Sequence, residues 1–474
     1  MDLRTTSILA FMLFAWIGPD LWAQIPAPAT GIQQPQSPRF QGIPGPPQIG
    51  VPQPSGLGPE NPGQPGGQPP GTFPTQHRPA LQPGSPRSAG GYHPEPDFEV
   101  KSNYIDPFRT RRDDDRITAI ASTLREVYET ESRISYDLPA RTTGTAHYRA
   151  AAQEIRAMLD GKHPCDLKRA VFLVENAWND NQGDYREFCN RISDMADVCR
   201  HLINSSGKHD NQTRNLAVFD FLTDTTRIPT SQGMQTYLPV RYDFDDFMGR
   251  EDWTKMFVTK LVSTGSGQCH SMPLLYLILA GEVGAEARLA FGPSHIYIKF
   301  PDAHGKLRNL ELTNGRMTTD AWIVGSGYVK AEAVRHGIYF DTLTTRQTIA
   351  LCLFDLAKGY AIRFSMDRFV LDAVNAGLEV HPASIYGLML KSDFYTLWCQ
   401  YAVREAGNPS LREVQARHPK INAIHSQMLR IYELIDGTGY EPMPDAAYQK
   451  WLSSVNSAAQ VRQDAAIRNE LHNN

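Results

Sequence analysis

Apolar and polar positions change their period twice along the chain. From Tyr104 to about Thr225 apolar residues recur every three or four positions, clearest over Thr118–Ser132, Tyr148–Leu159 and Tyr185–Ile203. That spacing predicts a block of amphipathic helices. Asp166 stands where it can cap a further helix over Ala170–Trp178, with Val171, Phe172 and Val174 on its apolar face. Between Thr259 and Gly315 the pattern changes. Met272–Val283 is apolar enough for a buried helix ending at Gly284, and Ala287–Phe291 reads as a strand. Ser294–Phe300 alternates, with His295, Tyr297 and Lys299 on one face and Ile296, Ile298 and Phe300 on the other. Asp302-Ala303-His304-Gly305 is a turn, and Leu307–Leu312 returns as a second alternating strand, which predicts a β-hairpin. From Thr345 the helical period resumes over Ile349–Tyr360, Arg368–Leu378 and Ser384–Ala402. A helix opened by Asn408-Pro409 follows, then a break at Gly437-Thr438-Gly439 and a short polar helix from about Asp445. The predicted class is α+β: one helix and a small antiparallel sheet between two helical blocks.

Composition marks off a segment that follows neither period. Residues 25–98 hold 20 prolines and 13 glycines, with six acidic or basic side chains and no G-X-Y repeat. Such a stretch cannot bury enough apolar surface to offset ordering its backbone, so residues 24–98 are expected to be a disordered spacer. Ahead of it, Arg4 precedes an apolar core from Ile8 to Ile17, and Ala23 offers a small residue before Gln24. The core is far short of the ~20 residues that span a bilayer, so residues 1–23 read as a signal peptide. Leu21 stands where an A-x-A-like site has a small residue, so an uncleaved anchor is the other reading. The organisation that follows is 1–23 signal peptide, 24–98 spacer, 99–235 helical subdomain, 236–344 core and 345–474 helical region. A secreted or periplasmic protein, with association with the cell envelope and no stable transmembrane anchor, is the expectation. The net charge of −4 argues against nucleic acid as an obligatory partner.

Export makes the six cysteines informative: Cys165, Cys189, Cys199, Cys269, Cys352 and Cys399. None forms a C-x-x-C pair, so a structural zinc site is not expected. Three disulfides or a mixture of bridges and thiols both fit the count. Cys352 and Cys399 lie in apolar helical runs and read as small core residues. Cys269 differs, because it follows the Gly265-Ser266-Gly267-Gln268 loop and precedes the apolar helix. A helix start favours a thiolate and offers free amides to an oxyanion. The hairpin after it carries His295. If its turn is symmetric about Ala303, His295 lies opposite Glu311 with Cβ atoms roughly 5 Å apart, where a carboxylate can orient an imidazole. A four-residue Asp302–Gly305 loop would instead put His295 opposite Leu312. Asn314 is a second candidate for the orienting role. His270 reads as a partly exposed first-turn residue, with a second imidazole lining the cleft as the alternative. Trp253 and Trp322 read as packing residues or as groove walls.

These residues also carry a family likeness. Gly267-Gln268-Cys269, the interval of 26 positions from Cys269 to His295, and Glu311-Leu312-Thr313-Asn314-Gly315 resemble the transglutaminase-like superfamily, a papain-related group with a Cys-His-Asp triad. The short interval is similar to that of its bacterial branch, in which helical, tetratricopeptide-like repeats follow a compact core. Here Phe354, Ala357, Ala361 and Pro382 fall near that repeat's large-small-small-Pro spacing, with Gly359 one place off, which predicts a helical-hairpin tail packed on the core. The resemblance covers Val258 to Gly315 and implies a papain-like fold there. It implies Cys269 as nucleophile, His295 as base and Glu311 in the place of the usual Asp, with Gln268 or Asn314 in an oxyanion or orienting role. His270 stands where animal members have Trp. The implied chemistry is acyl transfer on a protein or peptide amide through a thioester, with hydrolysis slightly ahead of transamidation. A non-catalytic binding or scaffold protein is the alternative. No nucleotide loop or metal cluster appears, so no cofactor is implied, with calcium left open.

Overall fold

Short acidic and hydroxyl side chains start the helices where the pattern predicts them. The computed structural model describes residues 111–457, apart from 135, 231–232, 325–327, 445, 452 and 455–456. The signal peptide, the spacer and the start of the mixed-charge run Arg109–Arg116 lie outside the described residues. Five helices come first among the described residues: α1 (Arg111–Glu131), α2 (Ala146–Leu159), α3 (Leu167–Trp178), α4 (Tyr185–Ser206) and α5 (Asn211–Thr223). Asp166, Asp184 and Asp210 cap α3, α4 and α5 by accepting first-turn N–H groups at 2.8–3.2 Å.

The predicted helical subdomain ends in strands. β1 (Thr226–Thr230) and β2 (Gly233–Tyr237) form an antiparallel ribbon, Thr226 opposite Tyr237. β2 is almost wholly exposed, so it has no buried face to impose a two-residue apolar period, and the sequence pattern is silent there. β3 (Arg241–Tyr242) then runs parallel to β4 (Ser266–Gly267), with α6 (Val258–Thr264) between them. Gly265 ends α6 in the left-handed conformation at φ 70°. α7 (Ser271–Glu282) follows, buried on nearly all sides against α4, α5, α6 and the sheet.

That sheet is antiparallel in the order β5 (Arg288–Gly292), β6 (His295–Pro301), β7 (Leu307–Glu311), β8 (Arg316–Thr318). Its hairpin register differs from both expected pairings. Ile298 faces Leu310 and Pro301 faces Leu307. The loop is the five residues Asp302–Lys306, closed by Asp302: its N–H donates to the Lys306 carbonyl at 2.9 Å, and its Oδ1 accepts from the N–H groups of His304 and Lys306. Relative to a turn centred on Ala303 the pairing slips by two residues. An even slip leaves every side chain on its own face, so His295 and Glu311 remain on one side as diagonal neighbours. The face of β6 that alternation marks as polar is not solvent-exposed either. Tyr297 and Lys299 are buried, because α8 (Asp320–Val324) covers that face and Asp320 accepts from Tyr297, Lys299 and Asn309.

α9 (Ala331–Arg335), α10 (Thr345–Phe364), α11 (Arg368–Val380), α12 (Ile385–Glu405), α13 (Leu411–Arg417) and α14 (Pro419–Gly437) complete the named elements, and residues 446–451 form a last helical stretch. Capping boxes start α10 (Thr344 with Gln347) and α13 (Ser410 with Glu413). α10 packs on α2 and α3 as well as on α11 and α12, so the two helical blocks share one core with α7 and the sheet. The mixed, helix-rich class is as the pattern predicts. No helix among the described residues is long and apolar enough to cross a membrane.

Candidate active site

The loop carrying Cys269 is held from three directions. β3 pairs it in register, and the Asp243 N–H donates to the Gly267 carbonyl at 2.8 Å. The Gln268 side chain donates Nε2 to the Asp243 carbonyl at 2.8 Å, while its backbone N–H donates to Ser271 Oγ at 3.0 Å. Gly267 allows this closeness, because a Cβ there would lie 2.7 Å from Ser271 Oγ. From the helical block, the buried Glu175 of α3 accepts the N–H groups of Val258 and Thr259 at 2.6 and 2.8 Å and caps α6. Burial pushes the Glu175 carboxyl up to about 7, and the two donors oppose that shift. Gln268 is thus a buried tie between the loop and β3.

Cys269 sits in the turn before α7, which makes Pro273 a first-turn residue whose missing N–H costs no helical bond. His295 opens β6 directly after Ser294, whose φ of 53° ends the two-residue Pro293-Ser294 connection from β5. A left-handed non-glycine residue beside the imidazole is local strain held by the two strands. Nε2 of His295 and Oε2 of Glu311 are 2.5 Å apart, both side chains almost fully buried. The extra methylene of Glu311 lets a diagonal neighbour make this bond. Its other oxygen, Oε1, accepts from the N–H and Oγ1 of Thr313 at 2.9 and 2.6 Å, which fixes the carboxylate plane. With Nε2 taken, Nδ1 is the nitrogen left for Cys269; it is buried and, the thiol apart, has no partner among the described residues. Asn314 is buried with Oδ1 unpaired, and Glu311 holds the orienting position.

The electrostatics form a charge-paired set. Burial raises the Cys269 thiol, but the His295 and His270 imidazoles outweigh it and hold the thiol below its ordinary value. Burial lowers His295, but Glu311 and then Cys269 overcome it and push the imidazole up to about 10. Together they favour a thiolate–imidazolium pair.

Comparison with protein-family models, with curated proteins and with solved structures finds no match in any of the three. The chemistry of this site therefore rests on its own geometry.

Several contributors escaped the sequence reading. His270 is partly exposed at the helix start, as expected, but its partners were not foreseen: Nε2 lies 3.1 Å from Asp355 of α10 and Nδ1 3.2 Å from the Met256 carbonyl. Asp355 raises its imidazole to about 9 against the effect of burial. The Tyr448 hydroxyl lies 4.0 Å from Cys269 Sγ, and Trp451 lies against the His295 ring with centroids 4.8 Å apart. Neither has a sequence signal, since both come from the far end of the chain. Of the two tryptophans, Trp322 stands at the site, 5.8 Å from Trp451 between ring centroids. Trp253 packs beside Gly359, whose added Cβ would lie 3.4 Å from Trp253 Nε1. Asp302 and His304 are turn residues, as expected. All six cysteines stand as free thiols in the structure. Among the described residues no three His, Cys, Asp or Glu side chains converge as metal ligands.

Proposed function

We propose that the protein is a thiol acyl-transfer enzyme of transglutaminase-like type, acting on peptide or protein amides, with a papain-like core spanning Val258 to Gly315. The observation that carries this reading is the buried His295–Glu311 bond beside Cys269, with Nδ1 of His295 left to the thiol. Nδ1 takes the Sγ proton and the thiolate attacks the amide carbonyl carbon, forming the C–S bond. The C–N bond then breaks as the imidazolium returns the proton to the leaving amine, which leaves a thioester. Water attacks next, giving its proton to Nδ1. The C–S bond breaks, releasing a carboxylic acid and restoring the thiol; an amine in place of water gives a cross-link. Gln268 anchors the loop, so oxyanion donors come from free N–H groups at the start of α7.

A thiol alkylating reagent tests the chemistry. In folded chain with the Tyr448 and Trp451 side chains over the site replaced by alanine, Cys269 should label faster than in denatured chain, and His295→Ala should abolish the difference. A binding or scaffold protein without turnover is the second reading, favoured by the 9% exposure of Cys269. Equal labelling in the two states decides for it. Export is part of the proposal, with residues 24–98 as a tether outside the cytoplasm. N-terminal sequencing of the mature protein should begin at Gln24, and an intact Met1 would count against cleavage.

A further inference from the structure

The nucleophile, the base and the carboxylate have exposures of 9%, 4% and 1%, too closed for a peptide to reach. What covers them is the end of the described chain. α14 stops at Thr438, Gly439 turns at φ 78°, and residues 441–444 include Pro442 and Pro444 before the helical stretch 446–451. That stretch turns two aromatic side chains inward. The Tyr448 ring packs on Phe247 with centroids 4.8 Å apart, and its hydroxyl reaches Cys269. Trp451 bridges Tyr448, His295 and Trp322 at 5.5, 4.8 and 5.8 Å between centroids. Tyr242 faces Cys269 and Tyr448 from β3. Gln449 and Lys450, on the outside, are exposed.

The way this stretch is attached sets it apart from the rest of the core. Among the described residues, the hydrogen bonds of 446–457 run within residues 444–457, except at the Tyr448 hydroxyl, which faces Cys269 and the Tyr242 hydroxyl of β3. Among the described residues, no backbone pairing or ion pair ties it to the sheet or to α7. Two rings hold it, behind a connection containing two prolines. Segments fastened by few contacts open locally without global unfolding.

We propose that residues 446–451 are an intramolecular occupant of the substrate cleft, with Tyr448 and Trp451 filling the space over Cys269 and His295 that aromatic side chains of a peptide take when the segment swings out. The identity of the cleft as a substrate site rests on the acyl-transfer reading; the occlusion does not. A ligand that competes with the segment carries aromatic groups two or three residues apart, since Tyr448 and Trp451 are one helical turn apart in sequence.

The test uses the full chain and iodoacetamide, with labelling of each cysteine followed by peptide mass spectrometry under native conditions. The variant Tyr448→Ala/Trp451→Ala should label at Cys269 at least about tenfold faster than wild type, while Cys165 labels at an unchanged rate. Trp451→Ala alone should fall between them. A synthetic peptide of residues 440–457 added to the double variant should slow labelling again, and the same peptide with both aromatics replaced by alanine should not. Equal Cys269 rates in wild type and both variants overturn the occlusion. If the double variant unfolds, seen as labelling of the core residues Cys352 and Cys399, Trp451→Ala carries the test, and a wild-type rate in it overturns the proposal. Segment-dependent labelling without amide turnover in the open variants overturns the acyl-transfer reading and leaves the occlusion standing. Turnover by wild type at the rate of the open variants does the reverse.

Discussion

Glu311 shows how one methylene and one register combine. An aspartate opposite the histidine and a glutamate diagonal to it place a carboxylate in the same position, and this hairpin takes the second solution. Both Glu311 oxygens are used, one by His295 and one by Thr313, which together lower the carboxyl against its burial. This sets the pH behaviour of the site. Cys269 lies below its ordinary value, so alkylation should rise with a midpoint under the ~8.5 of a free thiol. His295 keeps its proton to about 10, so turnover should hold to that pH and fall above it, when no imidazolium remains to protonate the leaving amine. Glu311→Gln removes the charge that raises His295. The upper limb of the rate profile should then move to lower pH, and turnover in an open-cleft background should drop on the order of 10²-fold. An unchanged limb would show that Glu311 does not control the imidazole.

Elements place the site by end-to-end contacts that no local pattern announces. The start of α7 is tied to α10 through His270 and Asp355, and the start of α6 to α3 through Glu175. The His270 imidazole is raised to about 9 in the folded protein, against an ordinary value near 6.5. A histidine raised on folding adds stability that is fully present below its unfolded value and is lost as pH rises through its folded value. His270→Ala should therefore lower the melting temperature more at pH 6 than at pH 10. A gap of equal size at both would show that the pair is not ionised. α1 and α12 are joined in a similar way: Lys391, fully buried, pairs with Glu131, and Asn375 accepts from it at 2.6 Å. Burial lowers that lysine to about 8. Such a set orders helices from opposite ends of the chain, and removing one partner alone would leave a buried charge at a cost of about 3–5 kcal/mol.

At the scale of the whole molecule, the longer helices, the Asp166 cap of α3, the apolar helix after Cys269 and the hairpin bearing His295 and Glu311 were legible in the sequence. Each depends on spacing over a few residues, and periods of 3.6 and 2 survive whatever packs against them. Even the hairpin's two-residue slip left the face intact, because side-chain direction depends only on parity. Strand β2 was invisible for the converse reason: it is almost wholly exposed, and without a buried face no period is imposed. Residues far apart in the chain were beyond any pattern. Asp355 comes 85 positions after His270, and Tyr448 179 after Cys269, so only folding brings a carboxylate to one and a phenol to the other. Sequence by itself determined which side chains share a strand face or a helix start, because backbone geometry sets that locally. Tertiary structure decided which of those groups are buried together, how their charges shift, and that the helical stretch 446–451 lies across Cys269, because burial and long-range contact belong to the packed chain alone.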